Sequence, residues 1–330
     1  MPKIEAGEGA TAPLVSIIMP TFNSSATVLR ALASVCAQTY ERFEVIIADD
    51  ASKDDTAEKV RSFGDPRVLF LPSDDTANRG PAPTRNRALA RAQGTYVAFI
   101  DSDDEWFPEK LATQVAYMES HPNCSIAVNN AETVGLRGHV VGTEFDSPRT
   151  PRSGADAWRT LLKYSFIETS SVMTRLALVR QVGGFDTALL VSQDQDLWIR
   201  LALEGETGII DRILGRLNKL PTGHMSRNHM RAVDIMLPMI ERHVQRLASR
   251  MSRAEIDEIL GFRYQAVGRG LFLTRHYRIA LRLLIKASRH NGNWLGNAYF
   301  IGCTNPMAMF VKRTLKRLFI GQARLVPPVT

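Results

Sequence analysis

The chain has little cysteine and no long apolar run. Cys36, Cys124 and Cys303 lie far apart and are odd in number. This excludes a disulfide framework and paired zinc-ligand spacing, and it fits a reducing compartment. No segment approaches the ~20 consecutive apolar residues that cross a bilayer. The N-terminal MPKIEAGEGATAP carries acids where a signal peptide has a basic stretch followed by an apolar one. A cytoplasmic protein with a disordered tail over residues 1–12 is expected. Gly and Pro follow no period, so collagen-like and low-complexity readings fail. Also missing are a phosphate-binding P-loop, a dinucleotide GxGxxG and a Ser-His-Asp elbow.

What is present is a globular composition, 45% apolar and 23% charged, in 330 residues. A chain of that size buries a sufficient core without staples and suggests one large domain or two modest ones. The net charge of +7 is unevenly distributed. Residues 226–330 hold 18 Lys and Arg against 5 Asp and Glu, whereas residues 1–225 hold 23 against 29. An acidic front and a basic back imply two regions with different partners.

Along the chain, Val15–Met19 is a β-branched run ending at Pro20, which predicts a buried strand. Val28, Leu32 and Val35 follow at helical intervals. Phe43–Ala48 predicts a second strand with Asp49 and Asp50 at its end. A helix over 54–63, a strand over 68–71 and a helix over 83–92 come next. Tyr96–Ile100 predicts a fourth strand, directly followed by Asp101-Ser102-Asp103-Asp104. Pro108 opens a further helix, and Ser125–Val128 reads as a fifth strand. Strands alternating with helices predict an α/β fold, a mostly parallel sheet covered on both faces. Residues 130–157 read as an irregular excursion, Trp158–Tyr164 as a helix, Thr169–Met173 as a strand and 194–202 as a helix. Beyond Pro221 the chain reads as wholly helical. Two acid clusters thus stand at the C-terminal edge of one sheet, where open α/β sheets bind ligands.

Six segments in order, VSIIMPTFN, ADDASKDDT, NRGPAPTRNRAL, GTYVAFIDSDDEWFPEKL, GGFD and SQDQDLWIRLA, resemble the family 2 glycosyltransferases of the GT-A fold. The resemblance covers about residues 13–225 and makes 226–330 a basic helical region. It implies a Rossmann-like nucleotide-binding domain and an inverting, metal-dependent transfer from a nucleotide-sugar, a UDP-sugar first. The implied acceptor is a glycan or lipid-linked oligosaccharide of bacterial polysaccharide synthesis. It also implies residue roles. Asp103 would hold a divalent Mn²⁺ or Mg²⁺ ion, with Asp101 on the ribose or beside the metal and Ser102 between them. Hard cations of this kind take oxygen ligands. Asp50 would bond the uracil ring and Phe22 pack on it, with Pro20 and Thr21 completing that loop. Arg85 and Asn86 would lie near the donor phosphates, and Asp194 would be the base. The family's usual pair there is Glu-Asp, and this chain has Gln193-Asp194.

Several residues carry a second reading. Phe22 also suits a core position, Arg85 a solvated helix face, and Asp104 either adds charge to the acidic cluster or caps the next helix. Asp49 suits a structural role in its loop. His224 suits a metal or phosphate ligand, or an ordinary surface or packed residue. Trp106, Trp158 and Trp198 suit the core or an acceptor wall. Residues 307–320, MAMFVKRTLKRLFI, place apolar and basic residues on opposite sides. That suits an anionic membrane surface at the inner face of the plasma membrane, or a docked terminal helix with a solvated basic face. No nucleic-acid motif accompanies the charge, so nucleic acid is not an expected partner. The alternative function is a non-catalytic nucleotide-sugar-binding or scaffolding protein of the same fold.

Overall fold

The computed structural model describes residues 12–73, 76–135, 137–146, 153–218 and 229–304. The chain divides into two compact units, Met1–Arg227 and Asn228–Thr330.

In the first unit, β1 (Val15–Thr21), β2 (Phe43–Asp49), β3 (Val68–Leu71) and β4 (Tyr96–Phe99) are joined through α1 (Val28–Cys36), α2 (Thr56–Ser62) and α3 (Pro81–Leu89). These four strands pair in parallel, in the order β3-β2-β1-β4. Their continuous apolar runs fit burial on both faces. On one face, Ile17, Val45 and Ala98 pack with Leu32 and Val35 of α1. Each large aliphatic side chain buried there contributes about 1.5–3 kcal/mol, which holds the strand ends in register. Strand β1 continues through Pro20 to Thr21, two residues further than predicted. Pro20 lies beyond Ile18, the last residue paired with β4, so its missing N–H interrupts no ladder bond on that side.

The sheet continues with β5 (Glu105–Trp106), α4 (Lys110–Ser120), β6 (Cys124–Val134), β7 (Val140–Thr143), α5 (Ala157–Lys163), β8 (Val172–Arg175), α6 (Leu176–Gln181), α7 (Gln193–Ala202) and β9 (Glu206–Asn218). Beyond β4 the order is β8-β6-β9-β5, with β7 on β6, and antiparallel pairs enter. Several expectations are corrected here. Residues 130–134 and 140–143 are not irregular, because β6 runs on to Val134 and β7 returns beside it. Thr169–Ser171 form a 3₁₀ turn, and β8 starts only at Val172. Helix α4 starts at Lys110 with Glu109 in the cap position, so Pro108 precedes the helix. The 13-residue β9 was not anticipated; charges interrupt its sequence and its register against β6 shifts. Trp106, Trp158 and Trp198 are all buried, which assigns them to the core.

In the second unit, α8 (His229–Arg231) passes through a π-helical stretch, Ala232–Met236, into α9 (Leu237–Arg246). Three more helices follow, α10 (Arg253–Leu273), α11 (Tyr277–Asn291) and α12 (Trp294–Thr304). A capping box formed by Ser252 and Glu255 starts α10, a device worth about 1 kcal/mol. Helices α10 and α11 approach closely at Gly268, where an added Cβ would lie 3.1 Å from Leu284. Among the described residues no helix is long and apolar enough to cross a membrane. His224 and the segment 307–320 lie outside the described residues.

Candidate active site

The parallel strands bring Pro20, Thr21, Phe22, Asp50, Asp101, Ser102 and Asp103 to one edge of the sheet. Phe22 is 45% exposed there, which removes the core reading and leaves its ring open to a ligand. The loop behind it is cross-tied. Thr21 Oγ1 donates to Asp49 Oδ1 at 3.1 Å, and Asp49 also accepts from the backbone N–H and hydroxyl of Ser52. Asp49 therefore closes its own loop, the structural role expected of it. The buried Asp50 accepts backbone N–H bonds from Arg79 at 2.9 Å and Gly80 at 2.8 Å. It thereby anchors the chain just before α3. This anchoring had no local signal, because the partners lie 29 and 30 residues away.

At the end of β4 the environment differs. Ser102 Oγ lies 2.7 Å from Ser24 Oγ, which ties the acidic loop to the β1 loop. Asp104 is buried and accepts from Ser170 Oγ at 2.5 Å and from the Asn218 N–H at 2.9 Å. It caps no helix, contrary to one reading; it staples the acidic loop to the 3₁₀ turn and to the end of β9. Ser170 Oγ also accepts the Asp101 N–H at 3.0 Å, and the Asn218 amide donates to the Asp103 carbonyl at 2.8 Å. Ser170 and Asn218 were missed from sequence, since small polar residues far along the chain carry no motif. The Asp103 carboxylate has no donor from another described residue. Burial, with the Asp101 charge beside it, pushes its pKa up to about 6, against the weaker pull of Arg30. Burial raises Asp104 as well, and Asp103 and Asp101 add to the shift.

Arg85 projects from α3 with only 4% of its surface exposed, so the solvated-face reading fails. Its Nη2 donates to Asp101 Oδ1 at 2.6 Å, while Nε and Nη1 are buried with no acceptor. Leaving such donors unmet costs about 1–3 kcal/mol, a cost that acceptor oxygens of a bound anion would offset. Asn86 has a different setting. Its amide donates to the Phe185 carbonyl at 2.8 Å and accepts the Phe185 N–H at 3.0 Å. Gly184 makes this possible: its φ is +68°, and an added Cβ would meet Asn86 Oδ1 at 2.9 Å. Asn86 therefore holds the GGFD turn.

Asp194 is the second residue of α7, behind the N-cap Ser192, which adopts a left-handed conformation. It keeps some exposure yet is densely surrounded by protein. Burial raises its pKa, opposed by the Gln195 N–H and the Arg85 charge and reinforced by Asp101. The structure thus brings Asp194 into the electrostatic neighbourhood of Arg85 and Asp101. Gln193 Oε1 is buried there without a donor. Asp196 is engaged elsewhere, bridging to Arg200 at 2.7 Å, and Arg200 also bonds the Val182 and Gly184 carbonyls. Among the described residues no three His, Cys, Asp or Glu side chains converge to hold an ion by themselves. Asp101 and Asp103 offer two carboxylates, the number a hard cation takes when substrate phosphates complete its shell.

The glycosyl transferase family 2 model matches residues 16–178, a span that includes both acid clusters and stops short of Asp194. The Escherichia coli protein WfgD, a UDP-Glc:α-D-GlcNAc-diphosphoundecaprenol β-1,3-glucosyltransferase, is 32% identical over 198 residues, covering 60% of this chain and 73% of the relative. The succinoglycan biosynthesis protein ExoO of Rhizobium meliloti is 29% identical over 244 residues, covering 72% and 69%. Two solved structures share the fold. S. aureus TarS in complex with UDP-GlcNAc aligns with a TM-score of 0.55 at 22% identity, covering 84% of this chain and 92% of that one. The Pyrobaculum calidifontis mannosyltransferase PcManGT, in complex with GDP-Man and Mn²⁺, aligns with a TM-score of 0.57 at 19% identity, covering 93% and 88%. The GT-A expectation is borne out, and this chain belongs to glycosyl transferase family 2 and is a glycosyltransferase.

Proposed function

We propose that this glycosyltransferase moves a sugar, with inversion, from a UDP-sugar to a lipid-linked glycan in the synthesis of a bacterial polysaccharide. The observation that carries the reading is Arg85, a buried cation with two unmet donors, which bonds Asp101 and whose charge acts on Asp194. A donor diphosphate is the anion whose oxygens match that fork. The substrates in the E. coli relative's name support the UDP-sugar and the diphospholipid-linked acceptor, and ExoO supports the polysaccharide context.

A divalent cation, Mn²⁺ or Mg²⁺, fits Asp103 and Asp101, whose mutual repulsion within a partly buried loop a dication would relieve. When bound, it would stabilise charge on the departing diphosphate. The chain's own residues supply the rest. Phe22 offers an open ring to the base, where stacking is worth about 1–3 kcal/mol, and Asp50 lies buried one loop away as the uracil partner. Asp194 accepts the proton of the attacking acceptor hydroxyl. Its burial makes it more basic than an ordinary carboxylate, which suits that task. Incubation with UDP-sugars tests the reading: UDP should be released with Mn²⁺ and not with EDTA. No release under either condition, with folded protein, would contradict it.

A further inference from the structure

Helix α11 carries three stripes along its length. Ala280, Leu283 and Ala287 face the core of the second unit with Tyr264, Val267 and Leu271 of α10. Tyr277, Leu281 and Ile285, spaced four apart, are exposed side by side on a second stripe. Arg278, Arg282 and Arg289 are exposed on a third, and among the described residues none of them has a carboxylate partner.

Helix α12 continues the apolar surface. Asn297 fixes its orientation: it is buried and bonds Ser288 Oγ at 2.9 Å and Gln265 Nε2 at 2.8 Å. Phe300 and Ile301 pack inward with it. The opposite side therefore shows Trp294, Leu295 and Tyr299, with Leu295 87% and Tyr299 72% exposed.

We infer that this α11–α12 face docks on an anionic lipid surface. The charge argues for that occupant. From Tyr277 to Thr304, the span of α11 and α12, there are four Lys and Arg and no Asp or Glu. A partner of balanced charge would not call for so one-sided a surface, whereas anionic headgroups attract it. Exposed Trp and Tyr beside aliphatic residues suit the boundary between headgroups and acyl chains. The inference goes beyond the transfer reaction and stands on this face alone. It adds a second contact to whatever residues 307–320 provide.

Trp294 gives the test a local readout, because the other tryptophans, Trp106, Trp158 and Trp198, are buried. The full chain is mixed with phosphatidylcholine vesicles containing 30% phosphatidylglycerol, with and without brominated acyl chains. Brominated lipid should quench the emission, and Trp294→Phe should remove the quenching. Vesicle partitioning should fall about 5-fold for each of Arg278→Gln, Arg282→Gln and Arg289→Gln, so about 100-fold for the triple variant. Leu281→Glu with Ile285→Glu should abolish quenching while circular dichroism stays that of the wild type.

Two results would overturn the inference. One is binding that is lost through Lys312, Arg313, Lys316 and Arg317 substitutions but is indifferent to the α11 triple variant and leaves Trp294 unquenched. The other is a lipid-free dimer that the Leu281 and Ile285 substitutions dissociate, which would assign the face to a second copy. UDP release in vesicle-free buffer reports the transfer chemistry separately, so failure of one reading leaves the other measurable.

Discussion

At the end of β2, Asp49 and Asp50 are surrounded by donors. Five hydrogen bonds reach them from Thr21, Ser52, Arg79 and Gly80. At the end of β4 only Asp104 is comparably held, while Asp103 meets no donor from another described residue and Asp101 meets only Arg85. Both clusters read as adjacent aspartates after an apolar strand. The difference shows that carboxylates at a sheet edge divide into those that build the loop and those left with electrostatic demand. Only the second kind leaves charge for a cation to meet.

The largest effect that would break this contrast is expected at Asp103. Asp103→Asn should lower metal-dependent kcat/KM by about 10³-fold or more, since the lost stabilisation of diphosphate charge is worth several kcal/mol. Its thermal midpoint should stay level or rise, because one of two mutually repelling acids is gone. Steady-state kinetics alongside calorimetric melting would check both.

Next comes Asp194. Asp194→Asn should lower kcat by about 10²–10⁴-fold with little change in donor KM. In the wild type, kcat should fall as pH drops through a pKa above the ordinary carboxylate range, because the raised group protonates earlier. Gln193→Glu would add a second carboxylate and move that acid limb further up. A pH–rate profile resolves the shift.

Asp49→Asn should behave in the opposite way to Asp103→Asn. The amide cannot accept every bond that the carboxylate does, so stability should drop by about 1.5–3 kcal/mol, while the folded fraction still binds UDP in Mn²⁺. Denaturant unfolding paired with calorimetric titration would show it. If Asp49→Asn instead removed metal-dependent binding and kept stability, the contrast would be reversed.

The smallest effect expected is at Lys110, behind the β4 loop. It is fully buried, its Nζ sits 3.4 Å from the Trp106 ring centroid, and it has no hydrogen-bond acceptor. Burial drives its pKa well below 10.5. Below 10.5 the unfolded chain takes up a proton that the folded chain holds less readily, so the residue lowers stability as pH falls from there. Lys110→Met should therefore stabilise by roughly 1–2 kcal/mol near neutrality. The gain should shrink as pH rises through 10.5. Thermal melts across pH would detect it.

The parallel half of the fold was legible because strands buried on both faces are written as unbroken apolar runs, such as Val15–Met19 and Phe43–Ala48. The mixed half was legible only at β6, expected over Ser125–Val128. In β9 Asp211, Arg212 and Arg216 interrupt the apolar positions, and its register against β6 shifts, so no period of two survives. Of the candidate site, the strand-end aspartates and Arg85 were legible by position. The parts that hold them were hidden, since Ser170 and Asn218 reach Asp104 across 66 and 114 residues. Asn86 was expected near the donor phosphates; its bond to Phe185 in the GGFD turn was hidden, because that partner lies 99 residues on.

Calorimetric titration of UDP into wild type and Asp103→Asn, each in Mn²⁺ and in EDTA, tests the central claim most directly. The account predicts binding by the wild type in Mn²⁺ and its loss both in EDTA and in the variant. Equal UDP affinity in all four titrations would contradict it.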